Sequence, residues 1–170
     1  MEKTLIILKP SSVQRGIVGE IISRFERVGL KMIGVKMLYP SRDHYYIHYE
    51  KIGKMVTRHN QEIFEATLKN MMAGPVIAIV LEGIEAISLA RKLVGGTEPK
   101  SSPPGTIRGD YSHMSYAHAN AHKIGIPNII HASGSPQEAK AEIAHWFKKD
   151  ELFKYRTVHE KFTQRTSKDK

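Results

Sequence analysis

The chain has 170 residues, 41% of them hydrophobic and 25% charged, a globular composition with enough length for one sizeable core. It contains no cysteine, which excludes disulfides, thiol nucleophiles and thiolate metal sites and suits a reducing interior. Its 26 Lys and Arg against 17 Asp and Glu give a net charge of +9, so the surface attracts polyanions, from nucleotides to nucleic acid.

No apolar run approaches the ~20 residues of a membrane helix, and Leu5 to Leu8 is far too short for a signal peptide. TLIIL, Thr4 to Leu8, reads as a buried first strand that ends at Lys9-Pro10. Ile17, Val18, Ile21, Ile22 and Phe25 share one face of a helix. Lys31 to Tyr39 alternates as a second strand. Asp43 to Glu50 and Asn60 to Met72 read as helices, the latter burying Ile63, Phe64, Thr67, Leu68 and Met71, with KIGKMVTRHN between them as a loop. VIAIVLEG after Gly74-Pro75 is a third strand, and Ile84 to Val94 a helix ended by Gly95-Gly96.

TEPKSSPPGTIRGDY is too rich in Pro, Gly and Ser for regular structure, and long ordered loops in compact domains usually carry function. SHMSYAHANAHKIGIP is polar and partly helical. Asn128 to His131 is a short fourth strand. Ser135-Pro136-Gln137-Glu138 starts a helix, with Ser as N-cap and Pro at the first position, and Ala139, Ile143 and Trp146 face inward. The basic tail from Lys148 ends in residues expected to be disordered. Strands alternate with helices, so the class is α/β or α+β.

Neither GxxxxGK[ST] nor GxGxxG occurs, so phosphate would be held by side chains. Lys9 at a strand end, Arg91 in a helix, and Thr97 and Arg108 in the long loop are candidates, since a guanidinium fork and a lysine charge both suit phosphate oxygens. His131 ends an apolar run before small residues. Alone, that is the pattern of a core histidine with one hydrogen bond. Beside phosphate ligands it is also a competent nucleophile near neutrality. Ala132 and Ser133 leave room, and Glu142 in the following helix could hold the ring. His118 and His122 stand four apart, which offers zinc half a site with no evident completion.

LKPSSVQRG, HYE, AGP, LEG, RKLVGGTEP, PGTIRGDY, NIIHASGS and EIAHWF occur in the order found in nucleoside diphosphate kinases, and the chain resembles that family from Lys3 to Phe147. The resemblance implies an α+β, ferredoxin-like βαββαβ core with a four-stranded antiparallel sheet. The domain would span residues 1–150, and 151–170 would be a basic C-terminal extension. The family moves the γ-phosphoryl group from a nucleoside triphosphate, typically ATP, to a nucleoside diphosphate by a ping-pong route, with Mg²⁺ on the phosphates.

Carried onto matching positions, His131 is the nucleophile and becomes phosphohistidine. Lys9 meets the γ-phosphate and ribose, Arg91, Thr97 and Arg108 the β- and γ-phosphates, and Asn128 the sugar. Tyr49 packs near Lys9, and Ser133 and Glu142 orient the imidazole. A cytoplasmic homo-oligomer, hexamer or tetramer, is implied, without membrane and with nucleic acid as a secondary partner. A weakly catalytic nucleotide- or nucleic-acid-binding relative is the alternative.

The chain departs from the family at Ser11-Ser12 after Lys9-Pro10, at Gly134 within SGS, and at Pro127 before Asn128. The base-stacking aromatic of a PFF segment is missing, and Ile63 falls at its place. Two insertions, at about 51–60 and 111–127, are extra to the family pattern.

Overall fold

The computed structural model describes residues 1–158 and 160–163. Four strands, β1 (Glu2–Leu8), β2 (Lys31–Leu38), β3 (Val76–Gly83) and β4 (Ile130–Ala132), form one sheet in the order β2-β3-β1-β4. Every neighbouring pair is antiparallel, so the expected α+β, ferredoxin-like core is what the chain builds. β1 lies centrally and is buried on both faces, with Leu5, Ile6, Ile7 and Leu8 all at 0% exposure. That is why TLIIL is a continuous apolar run rather than an alternating one. Each such side chain contributes about 1.5–3 kcal/mol by leaving water.

Period-two alternation sends neighbouring residues to opposite layers. Ile6 and Leu8 pack with Ile21 and Phe25 of α2 (Val18–Arg27) and with Ala86, Ala90 and Val94 of α6 (Ala86–Val94). Leu5 and Ile7 pack on the other face with Tyr45 of α3 (Arg42–Tyr46), with Phe64, Leu68 and Met71 of α5 (Gln61–Met71), and with Trp146 of α9 (Pro136–Trp146). Asn60 caps α5 and Ser135 caps α9, each accepting a backbone N–H in the first turn.

Several segments differ from the sequence reading. Pro10 opens a short helix, α1 (Pro10–Gln14), because its fixed φ suits a first helical position. The helix after β2 does not stop at Glu50. It continues as a π-helical turn, Ile47–Ile52. Within the expected loop 51–60 lies α4 (Met55–Arg58). The Pro- and Gly-rich stretch after Gly96 carries a 3₁₀ turn, Pro99–Ser101, and α7 (Ile107–Tyr111), which Thr106 caps. α8 (Tyr116–Ala121) bears out the partly helical reading of the histidine-rich segment. Ile63 is not on the buried face of α5 but 39% exposed.

The chain beyond β4 and α9 returns along β2. Phe153 N–H donates to Ile33 O at 2.8 Å, and Lys31 bridges Glu82 and Glu160 at 2.9 and 2.8 Å. A last short helix, α10, covers Glu160–Thr163. The disorder expected of the final residues falls on 164–170, outside the described residues.

Candidate functional site

β4 is shifted one step from the expected strand. His131 sits in its middle, paired with Ile7 of β1, rather than at its end. Cross-strand partners point the same way, so His131 projects into the layer of Tyr49 and Trp146. Ahead of it, Ile129 adopts φ +57, and Ile130 N–H bonds back to Asn128 O at 2.7 Å. A β-branched residue in a left-handed three-residue turn is strained, by about 1–3 kcal/mol.

Three successive carbonyls hold the turn. Asn128 O accepts from Arg108 Nε at 3.1 Å and Ile130 O from Arg108 Nη2 at 2.7 Å. Ile129 O accepts from Lys9 N–H at 2.9 Å and from Ser12 Oγ at 2.6 Å. The departure at Ser12 therefore has a structural use, a buried hydroxyl on the strained carbonyl. Arg108 Nη1 also donates to Gly95 and Gly96 O at 3.1 and 3.0 Å. Gly95, at φ +85, is the left-handed end of α6, where a side chain would strike Thr106.

The imidazole is fixed from behind. His131 Nε2–H donates to Glu142 Oε1 at 2.8 Å, and Ser133 Oγ donates to Glu142 Oε2 at 2.6 Å. Leu5 N–H in turn donates to Ser133 Oγ at 3.2 Å. In the neutral ring, a proton on Nε2 leaves the lone pair on Nδ1. Burial works to raise the Glu142 carboxyl, but the charge and hydrogen bond of His131 and the bond from Ser133 outweigh it and hold the pKa below the ordinary range.

His48, which sequence reasoning passed over, completes this group. It is 1% exposed, stands edge-on to His131 with centroids 4.7 Å apart, and accepts from Trp146 Nε1 at 3.1 Å. Trp146 and Glu142 are four apart on α9, so one helix face holds both imidazoles. The π turn presents consecutive residues, His48 and Tyr49, to the interior. Tyr49 lines the same cleft as Lys9, with its hydroxyl buried and unpartnered, and burial pushes its pKa up. The histidine beside Tyr49 in HYE was the one available signal. His48, His131 and Glu142 are the one group of three metal-donor side chains among the described residues. His118 and His122 do share a face, as their spacing implied, with rings stacked at 4.1 Å.

The cations converge at the mouth. Lys9 Nζ donates to Asn128 Oδ1 at 2.6 Å, and Asn128 Nδ2 donates to Thr97 O at 3.0 Å. Burial, then the charge of Arg108, pushes the Lys9 pKa down to about 7. Burial, then Arg91, lowers Arg108 to about 10, so it stays charged at neutrality. Among the described residues Arg91 has no side-chain hydrogen bond or ion pair. A Cβ on Gly134 would come within 2.6 Å of Glu138 Oε2 and 3.7 Å of Arg91 Nη1, so glycine leaves room for the Glu138 carboxylate that accepts from Gly134 N–H. A cleft of about 820 Å³ brings together Lys9, Tyr49, Ile63, Arg91, Thr97, Arg108, Asn128, His131 and Glu142. Ser133 lies behind it, buried at 0%.

His48 and His44 tie this site to stability. Burial holds the His48 pKa well below 6.5, and burial, then His145 and Lys36, pushes His44 down to about 4. The unfolded chain takes up protons as pH falls below 6.5 while the folded one does not. Their contribution is therefore complete above pH 6.5 and is lost as pH falls toward 4. His48→Gln should flatten the slope of unfolding free energy between pH 6.5 and 4.5 by up to about 1.4 kcal/mol per unit, measured by urea titration at several pH values. His44 is half-exposed and contributes less. An unchanged slope would mean that His48 protonates within the fold.

Comparison with known proteins agrees with this geometry. The family model for nucleoside diphosphate kinase matches residues 2–152. A nucleoside diphosphate kinase of Borreliella burgdorferi is 44% identical over 156 residues, 92% of this chain and 93% of that one. A solved structure of that enzyme from Borrelia burgdorferi, a transition-state mimic with bound vanadate and ADP, superposes with a TM-score of 0.90 at 43% identity, covering 94% of each chain. An NDP kinase from Pyrobaculum aerophilum gives a TM-score of 0.83 at 38% identity, over 90% of this chain and 99% of that one. With a four-stranded antiparallel sheet, a histidine seated on its short edge strand and cations gathered around it, the chain belongs to the nucleoside diphosphate kinase family.

Proposed function

We propose that His131 carries the phosphoryl group between nucleotides. The observation behind this reading is the orientation of its ring, with Nε2 committed to Glu142 and Nδ1 left with a lone pair. Nδ1 attacks the γ-phosphorus. The Nδ1–P bond forms as the bond from phosphorus to the β,γ-bridging oxygen breaks, and the nucleoside diphosphate leaves with that oxygen. In the second half, a terminal oxygen of the acceptor diphosphate attacks the same phosphorus and the P–Nδ1 bond breaks. Glu142 stabilises the cationic ring in between, and Ser133 holds Glu142. Phosphoryl transfer asks mainly for positioning and charge neutralisation. Lys9, Arg91, Thr97, Arg108 and Asn128 meet the phosphates and sugar, with Tyr49 beside Lys9.

Members of this family use a divalent metal. Of the three cleft carboxylates, Glu142 is engaged by His131 and Ser133, Glu138 by Gly134 N–H, and Glu62 stands 4.0 Å from Lys123. This donor set fits Mg²⁺ held by the nucleotide's own phosphate oxygens and water. When bound it spreads the charge of the β- and γ-phosphates.

We assign residues 1–150 to the catalytic domain and 151–170 to an appended basic segment, and the cytoplasm as its setting. Among the described residues no helix is long and apolar enough to cross a membrane. ATP and other nucleoside di- and triphosphates are its partners, and nucleic acid is secondary. The apolar residues Val35, Met37 and Tyr39 stand 55%, 59% and 73% exposed along the sheet-edge strand β2 and just beyond it, which favours a homo-oligomer, hexamer or tetramer.

His131→Gln should fold normally yet take up no acid-labile phosphoryl group from Mg-ATP, read by intact mass. Turnover above a trace in that variant would overturn the nucleophile. Arg108→Ala should lose on the order of 10²–10³ in kcat/KM and also lower the unfolding midpoint, because four carbonyls lose their donor. Arg108→Lys restores charge but not the clamp, so full rescue by lysine would refute the clamp. Lys9, at about 7 when free, binds phosphate in its protonated form. ADP binding at pH 8 should therefore take up a proton, and affinity should fall as pH rises through 7 and beyond. Calorimetry in buffers of different ionisation enthalpy measures the uptake, and a Lys9→Met chain should show none.

A further inference from the structure

A second hollow lies on the other side of α9 and shares no lining residue with the cleft. Ala139, Glu142 and Trp146 turn inward from that helix, whereas Pro136, Lys140, Ile143, Ala144 and Phe147 recur at helical spacing on another face. With Lys3 of β1 and Leu152 beyond α9, these residues line a groove of about 360 Å³. Its walls are held from behind. Leu152 and Phe147 pack so closely on Gly34 of β2 that a Cβ there would come within 2.8 Å of one and 3.2 Å of the other. A fixed, mostly apolar hollow of this size falls within the range of small-molecule sites.

The rim is cationic. Lys3, Lys140 and Lys149 line it against one carboxylate, Glu2, whose Oε2 accepts from Ile87 N–H at 2.9 Å. Among the described residues the ammonium groups of Lys140 and Lys149 have no hydrogen bond or ion pair. Lys3 stands 3.9 Å from Glu82, which Lys31 already holds at 2.9 Å. The backbone adds a donor. Leu5 and Lys9 turn their N–H groups toward the β4 side of β1, and alternation turns that of Lys3 the same way. There β4 has ended at Ala132, and among the described residues the Lys3 N–H has no partner.

We propose that this groove binds a free single-chain carboxylate of medium length, its head at Lys3 and Lys140 and its chain along Ile143, Ala144, Phe147 and Leu152. The charge complementarity lies at the β1 end, where two ammonium groups and an open N–H meet. The apolar part runs the length of α9 from Pro136 to Phe147, about 16 Å at 1.5 Å per residue. Lys149, at the far end, lays its methylene stem over the chain and keeps its charge in water. A bilayer would need apolar side chains that project, whereas Ile87 and Phe147 are each 6% exposed and form the floor and wall of a recess. The site takes no part in phosphoryl transfer, so the inference stands apart from the nucleotide reading.

The experiment titrates the full chain with decanoate, below the concentration at which it forms micelles, by calorimetry. One saturable site is expected. Ala144→Trp, which fills the groove from an exposed helix position, should weaken decanoate by about tenfold or more. Lys140→Glu should weaken it by about three- to fivefold, the effect of losing one exposed ion pair, with circular dichroism checking the fold of both. Decanol should bind more weakly than decanoate. Absence of a saturable site would overturn the proposal. So would a site that neither variant weakens, the result if the phosphate cleft took the probe. Decanol binding as tightly as decanoate would overturn the anionic head, and capture of anionic phosphatidylserine vesicles without any binding of decanoate would make the face a membrane contact instead.

Discussion

The position of His131 depends on a backbone turn that an isoleucine should avoid. Left-handed φ at Ile129 bends the chain just before the short strand. Relaxing it would let the chain run straight into β4 and change the register that pairs His131 with Ile7. A one-residue slip in a strand moves every side chain to the other face. The turn survives because all three of its carbonyls have donors, from Arg108, from Lys9 N–H and from Ser12. The same Arg108 fastens the end of α6, so helix, turn and strand are one unit. Four of the five guanidinium N–H groups are spent on carbonyls, which makes Arg108 as much a structural clamp as a cation.

Electrostatic strain runs through the opposite half of the site. Lys9, Arg91 and Arg108 gather without a carboxylate among the side chains bonded to them. Burial first, and then the charge of Arg108, disfavours the protonated amine and lowers the Lys9 pKa to about 7. On the proposed reading, a triphosphate relieves this repulsion on arrival. Among the described residues Arg91 is the cleft guanidinium with its donors open, whereas Arg108 has one to offer. On the far side of His131 the logic reverses. Glu142 is the one carboxylate admitted, His48 is held neutral, and α9 places Glu142 and Trp146 on one face. The imidazole therefore stands between an anion behind and cations ahead.

Much of this was legible in the sequence, and for physical reasons. A strand buried on both sides must be apolar throughout, so TLIIL announced β1. Ser135-Pro136 announced α9 because caps are local chemistry. Lys9, Arg91, Thr97, Arg108 and Glu142 were candidates by side-chain chemistry and place in the chain, but their roles, and Asn128 altogether, came from motif order, since no periodicity connects positions so far apart in sequence. The misses share a cause. His48 acts by touching His131 and Trp146, and Ser12 by reaching Ile129, contacts made only after distant segments meet. The π turn has no composition signature. Ile63 followed the helical period onto the apolar face, but the cleft opens there and leaves it exposed.

The cleft thus has two parts of different origin. The phosphate part is built on β1, β4, α6 and α7, elements whose carbonyls and caps leave little freedom, because the reacting atoms tolerate little displacement. The other end of the cleft is built on α4, α5 and the 112–127 loop, where the chain departs most from the family pattern. A base contributes binding energy but stands away from the bond being broken, so its seat can be assembled from different pieces as long as it offers area. The 112–127 loop is tied to Glu98 on one side and to Asn70 on the other, so it spans from the segment after Gly96 to α5. The loop that carries Thr97 is thereby held to α5 as well as to α6 and β4.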